Sequence, residues 1–328
     1  MKFLITIMIF CIVLFIYLHV VYHLKVSDDL EVYELEDPSK DKLEEICDIR
    51  QPVIFDFKNN DILNNCNLNK VISEYGAFDV KLRNLKDINC KTEMYLPLTL
   101  NSSIELFNKD EDSKYLSENN EDFLIETGLI KNYKYNDSFI RPYMVSNCDY
   151  DYIISSNNSQ TKLKYELNYR NYFFVSQGSV TIKLLPPKSY RYLNPEKDYE
   201  NFEFSSPINI WDVQEEYKND INKVKSLEVI VNKGQIIYIP AYWWYSIRLG
   251  QNSSICVFKY RTYMNNVAIL NHSFMSLLQR QNIKRDIYKK KVLSETKYVN
   301  NNENNNGNNN ENNNENNNEN NDFNENKS

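Results

Sequence analysis

Residues 234–249, GQIIYIPAYWWYSIRL, decide the reading of the fold. Gly234 is a turn glycine, and Ile236-Ile237-Tyr238-Ile239 is an apolar strand that ends at Pro240. Proline cannot donate a ladder hydrogen bond, so the chain must bend there. A second strand, residues 242–249, follows at once. Trp243 and Trp244 are two of only three tryptophans. Neighbours on a strand face opposite sides, so one packs in a core and the other caps a cavity or an outer layer. Gly250-Gln251-Asn252-Ser253 then reads as a hairpin turn and Ile255-Cys256-Val257-Phe258 as the return strand.

A second block lies upstream at residues 161–187, TKLKYELNYRNYFFVSQGSVTIKLLPP. Residues 171–175 and 180–187 form a hairpin about Gln177-Gly178-Ser179. Together the two blocks resemble the cupin-like JmjC family, double-stranded β-helix oxygenases that use iron and 2-oxoglutarate. The resemblance covers about residues 45–265. It implies a mainly β jelly roll with flanking helices.

In that family the distal block reads Ile-Pro-x-x-Trp-Trp-His, and its histidine ligates iron. The upstream block supplies His-x-Asp, and a few residues later come asparagine, two aromatics, a glycine turn and a strand ending in Pro-Pro. Here Gly234, Tyr238, Ile239, Pro240, Trp243 and Trp244 are kept, but Tyr245 and Ser246 stand where the distal histidine belongs. Aligned from the upstream side, His-x-Asp falls on Lys164 and Glu166. Aligned from the downstream hairpin, it falls on Tyr165 and Leu167. One branch of the family grips 2-oxoglutarate with a lysine two residues after the turn glycine. Val180 holds that position, and Lys183 lies on the opposite face by alternation.

The iron site needs two neutral imidazoles and a carboxylate. The chain has three histidines, at 19, 23 and 272, and only the last lies outside the N-terminal apolar segment and its edge. Deprotonating Lys164 from about 10.4 costs roughly 4–5 kcal/mol at pH 7. Glu166 could ligate but is one methylene longer than aspartate. No metal ligand set, catalytic residue or cofactor is therefore expected. Tyr245 and Ser246 are read as filling the former metal pocket. Trp243, Trp244, Val180 and Lys183 are the candidates to line it.

Residues 3–22 are a continuous apolar and aromatic run. At about 1.5 Å per residue it spans about 30 Å, a bilayer core. It lacks a small-residue cleavage site, so residues 1–25 read as an uncleaved signal anchor, N-inside, with the domain luminal or extracellular. Residues 26–44 read as a stalk, 45–265 as the cupin-like domain and 266–298 as a C-terminal helical segment. Residues 299–328 are an Asn/Glu tract expected to be disordered. A helix capped near Ser39 or Asp37 is expected through Ile46, a strand at residues 53–57 just after Pro52, a helix at 71–76 and a strand at 78–82. Residues 108–120, charged and poor in apolar side chains, read as a surface loop. Val267, Leu270, Phe274, Leu277 and Leu278 have helical spacing and are expected to pack on the barrel or on a second subunit.

The net charge of −7 argues against nucleic acid as a partner. Twenty-five tyrosines with abundant Asn, Lys and Ile indicate AT-biased coding, as in some protists and large DNA viruses. Cys47, Cys66, Cys90, Cys148 and Cys256 fit no zinc spacing, and disulfides or buried thiols are equal readings. Sequons stand at Asn101, Asn136, Asn157, Asn252 and Asn271.

Three functions follow. The first is a membrane-anchored pseudoenzyme that binds a protein, peptide or glycan. The second is an iron and 2-oxoglutarate oxygenase with an atypical metal site. The third is a structural surface or envelope glycoprotein.

Overall fold

The computed structural model describes residues 2–85, 95–199 and 201–281. The N-terminal third alternates α1 (Lys2–Leu24), β1 (Tyr33–Leu35), α2 (Lys40–Cys47), β2 (Val53–Asp56), α3 (Asn60–Asn65), α4 (Leu68–Tyr75), β3 (Asp79–Asn84) and β4 (Leu96–Thr99). Next come α5 (Leu100–Lys109), β5 (Tyr115–Ser117), α6 (Glu121–Glu126), α7 (Ile130–Asn136) and β6 (Val145–Ser155). The remainder is mostly strand: β7 (Lys164–Tyr165), β8 (Arg170–Gln177), β9 (Ser179–Leu185), β10 (Glu196–Asp198) and β11 (Glu203–Ser205). After α8 (Lys218–Ile221) come β12 (Leu227–Asn232), β13 (Gln235–Ile239), β14 (Trp244–Leu249), β15 (Ser254–Thr262) and α9 (Tyr263–Ala268).

Among the described residues the strands make two sheets. One has nine strands in the order β1-β2-β13-β8-β15-β6-β5-β3-β4, and the other has six in the order β10-β11-β7-β14-β9-β12. Pairing is antiparallel except between β1 and β2. The decisive stretch connects the two sheets. β13 belongs to the first and β14 to the second, and the chain crosses between them at Pro240. Trp243 N–H donates to Pro240 C=O at 3.3 Å, and Tyr242 takes a φ of +66° to make the turn.

Strand alternation sorts the side chains into three layers. Ile237, Ile239, Trp243, Tyr245 and Ile247 join Phe173, Val180 and Val257 between the sheets. Ile236 and Tyr238 face the other way, onto the helices packed against the nine-stranded sheet. Trp244 packs with Tyr165, Leu167 and Phe204 on the outside of the six-stranded sheet. Each large apolar side chain buried this way contributes roughly 1.5–3 kcal/mol. The hairpin of β8 and β9 turns at Gly178, whose φ is +73° and whose missing Cβ lets Ser253 approach.

Local signals place the helices. Ser39 caps α2, accepting Lys42 N–H at 3.3 Å. Asn67 caps α4, accepting Lys70 N–H at 3.0 Å.

Several expectations are corrected. Residues 108–120 are not a plain surface loop: β5 pairs with β3 and β6, and Leu116, Ser117, Glu118 and Asn120 are buried. Residues 33–35, inside the expected stalk, are held against β2. The helical stripe at the C-terminal end does not pack inward, since Val267, Leu270, Phe274, Leu277 and Leu278 are exposed. Cys47, Cys66, Cys148 and Cys256 are free thiols. Cys90 and the tail at 299–328 lie outside the described residues. Residues 1–277 form one unit, and in the second, Leu278–Ser328, residues 278–281 are described and helical.

Candidate functional site

β7 is two residues long and lies between β11 and β14, with Lys164 opposite Tyr245. This register and the alternation of side chains turn Lys164 and Tyr245 into the space between the sheets. Glu166, two residues on, meets Tyr245 there, its Oε1 accepting the phenol at 3.2 Å. Tyr165 and Leu167 face the outer layer, where Tyr165 packs edge-to-face with Trp244 at 4.7 Å between ring centroids. Of the two alternative placements, Lys164 and Glu166 are thus the inward pair.

Ser246 follows Tyr245 and points outward. Its hydroxyl donates to Thr161 C=O at 2.6 Å and accepts Trp211 Nε1–H at 2.8 Å. The four lining candidates do not line the chamber. Val180 and Trp243 are deep in the apolar layer, Trp243 donating to Arg50 C=O at 3.1 Å. Trp244 is in the outer layer, and Lys183 sits 4.5 Å over the outward Trp211 ring.

The chamber is bordered instead by Glu118, Asn119, Asp151, Thr161, Lys164, Tyr245 and Lys259, with Ile153, Phe173, Ile247 and Val257 below. Sequence reasoning missed the key acid and one of the bases. Glu118 follows β5, and its carboxylate accepts from Arg83 at 2.6 Å and Lys164 at 3.1 Å. Lys259, on β15, donates to Glu166 at 2.9 Å. A signal for Lys259 was present: a lysine interrupts the apolar strand 255–260. Glu118 had only Tyr115 and Leu116 nearby to mark a strand.

Burial opposes charge throughout this cluster, and the pairing overrides it. Burial pushes the Glu118 carboxyl up, but Arg83 and Lys164 outweigh it and hold the group down to about 2. Glu166 is likewise lowered against its burial by Lys259 and Lys164. Burial disfavours the Lys164 ammonium, yet Glu118 more than compensates and raises its pKa. Burial, reinforced by Glu166, raises Tyr245, so the phenol keeps its proton. Asp151 is the exception: burial keeps its carboxyl above the usual value although Asn120 and Asn119 N–H groups, at 2.7 and 2.9 Å, donate to it.

With these side chains in place the chamber has room for about one water molecule. Asn119, Asp151 and Lys259 also border an open cleft flanked by Lys81, Glu121, Asp122 and Asp149. Among the described residues, no three His, Cys, Asp or Glu side chains converge as a metal site would require. His272 packs against Tyr199 and edge-on against Phe204 in the outer layer, and it does not border the chamber. The positions aligned with the family's iron ligands supply an ammonium, an engaged carboxylate and a protonated phenol. They do not fit a two-histidine, one-carboxylate site.

Asn101, Asn157, Asn252 and Asn271 are exposed. Asn136 is half-buried, donating to Asn132 C=O at 2.9 Å and accepting from Asn59 at 3.2 Å.

A search among curated proteins gave no match. A family model described as a cupin-like domain matches residues 25–266. That match spans both sheets and the whole chamber, and the chain belongs to the cupin-like domain family.

Proposed function

We propose that this is a membrane-anchored cupin-like protein that has lost iron and 2-oxoglutarate chemistry and serves as a binding or structural domain. One observation carries the reading. The space between the sheets is occupied by the chain's own ion pairs, Lys164 with Glu118 and Lys259 with Glu166. Small-molecule sites commonly enclose about 300–1,000 Å³, far more than one water. The helix α1, 23 residues with no Asp, Glu, Lys or Arg after Lys2, is long and apolar enough to span a bilayer and supports the anchor. The exposed sequons suit a luminal or extracellular domain.

The test uses the full-length protein in lipid nanodiscs. Bound iron, manganese, zinc and nickel are quantified, and 2-oxoglutarate is titrated by calorimetry with and without ferrous iron. Neither stoichiometric metal nor 2-oxoglutarate heat is expected. Stoichiometric binding of both would overturn the reading and make Glu166 the first ligand to substitute. A glycosidase-sensitive mass shift abolished by Asn252→Gln places the domain on the luminal side.

A further inference from the structure

The C-terminal helical stretch leaves an apolar stripe uncovered beside the membrane anchor. Thr262 caps α9, its hydroxyl accepting Asn265 N–H at 3.2 Å. A second helical run starts at residue 270. Asn265 and Ile269 are buried against the domain, Asn265 donating to Leu167 C=O at 3.3 Å, and Ser276 is buried as well. Val267, Leu270, Phe274 and Leu277 follow a 3-4-3 spacing and are exposed, Leu270 by 64% and Phe274 by 58%.

The position of this stripe is set by α1. The side chains of residues 3–18 are exposed, whereas His19 and Val20 are half-buried and His23 is buried. His23 Nε2 is 3.1 Å from Thr262 Oγ1, and the end of α1 packs on α9. The stripe therefore starts where the apolar run of α1 ends, at the depth where a spanning helix leaves the hydrocarbon. Tyr17, Tyr22 and Tyr263 are exposed around that level, as interfacial aromatics are. The sequence beyond carries Lys284, Arg285, Lys289, Lys290 and Lys291 in a chain of net charge −7. A cationic run that follows an apolar helical stretch in the sequence is complementary to anionic headgroups.

We propose that residues 263–277 are a membrane-surface element, their stripe of Val267, Leu270, Phe274 and Leu277 seated in the leaflet from which α1 emerges. This rests on the reading of α1 as an anchor. It makes the domain lie on the bilayer in one orientation, tethered at two places.

The experiment places a photo-crosslinking benzophenone amino acid, one site at a time, at Phe274, at Phe10 in α1 and at the exposed Ile230 on β12. The full-length protein is reconstituted in phosphatidylcholine and phosphatidylserine vesicles, and adducts are identified by mass spectrometry. Phe274 should give lipid adducts at a yield close to that of Phe10 and roughly tenfold above Ile230. Lipid adducts at Phe10 with none at Phe274 would leave the anchor standing and overturn the surface element. Adducts between two protein copies at Phe274 would overturn it in favour of a dimer face. An absence of lipid at both positions would remove the anchor as well.

Discussion

Two buried ion clusters in this domain do different things. Arg170, on β8, is fully buried and clasps α2. It reaches Asp48 at 2.6 Å and Glu44 at 3.2 Å, and donates to Cys47 C=O at 3.3 Å and Tyr238 Oη at 3.2 Å. Its guanidinium lies 4.1 Å over the Tyr169 ring. The fixed fork of arginine suits this, because it satisfies backbone, carboxylate and aromatic partners at once. The clasp holds a helix to a sheet. The Glu118 carboxylate instead pairs with two basic side chains, Arg83 and Lys164, in the space between the sheets. One set of charges builds the domain. The other links the two sheets, Lys164 on β7 to Glu118 after β5 and Lys259 on β15 to Glu166 after β7.

Solvent access separates them too. The Asp48 side chain is 42% exposed, while that of Glu118 is 2% exposed. Breaking the Glu118 cluster should therefore cost most. Glu118→Gln leaves the buried Lys164 ammonium without its counter-charge and should lower stability by roughly 3–5 kcal/mol in guanidinium unfolding. A loss below about 1 kcal/mol would mean that the chamber is hydrated like a surface.

The same carboxylate sets an acid limit. Its folded value of about 2 lies below the usual 4.5, so its stabilisation is complete above the unfolded value and is lost as pH falls from there towards 2. The expected loss is on the order of 3 kcal/mol. Glu166, also lowered, acts in the same direction. Asp151, raised by burial, acts in the opposite one, favouring the fold as it becomes protonated. Unfolding free energies from pH 6 to pH 2.5 should fall steeply in the wild type and much less in Glu118→Gln. Equal slopes would place the acid sensitivity elsewhere.

Arg170→Met should cost less, roughly 1–3 kcal/mol, because the freed Asp48 and Glu44 carboxylates can take up water and methionine refills much of the volume. A loss exceeding that of Glu118→Gln would reverse the order of the two clusters.

The uneven legibility of the sequence has a physical cause. β13, β14 and the β8–β9 hairpin were readable because apolar alternation and turn residues are local signals. Their family motif pointed to the site positions Lys164, Glu166 and Tyr245. Glu118 and Arg83 were not readable. β5 is only three residues long, and its register depends on β3 and β6 from distant parts of the chain. A charged residue looks like solvent-facing sequence until its counter-charge is placed beside it. The C-terminal stripe had the periodicity of a packed helix, and periodicity alone does not say what covers a face.

The smallest effect tests what Tyr245 does in the space assigned to the distal histidine. Tyr245→Phe removes one hydroxyl and keeps the ring, which lies 5.2 Å from Phe173. Glu166 loses the phenol donor at 3.2 Å but retains Lys259 at 2.9 Å and Asn168 at 3.3 Å. The carboxylate thus stays paired, and the cost should be about 1 kcal/mol, read as a small drop in Tm. Such a value would make the phenol mainly a filler whose hydroxyl completes the Glu166 shell. A loss as large as that of Glu118→Gln would instead tie Glu166, Lys259 and Lys164 into one cooperative network running through Tyr245, with these positions holding the two sheets together.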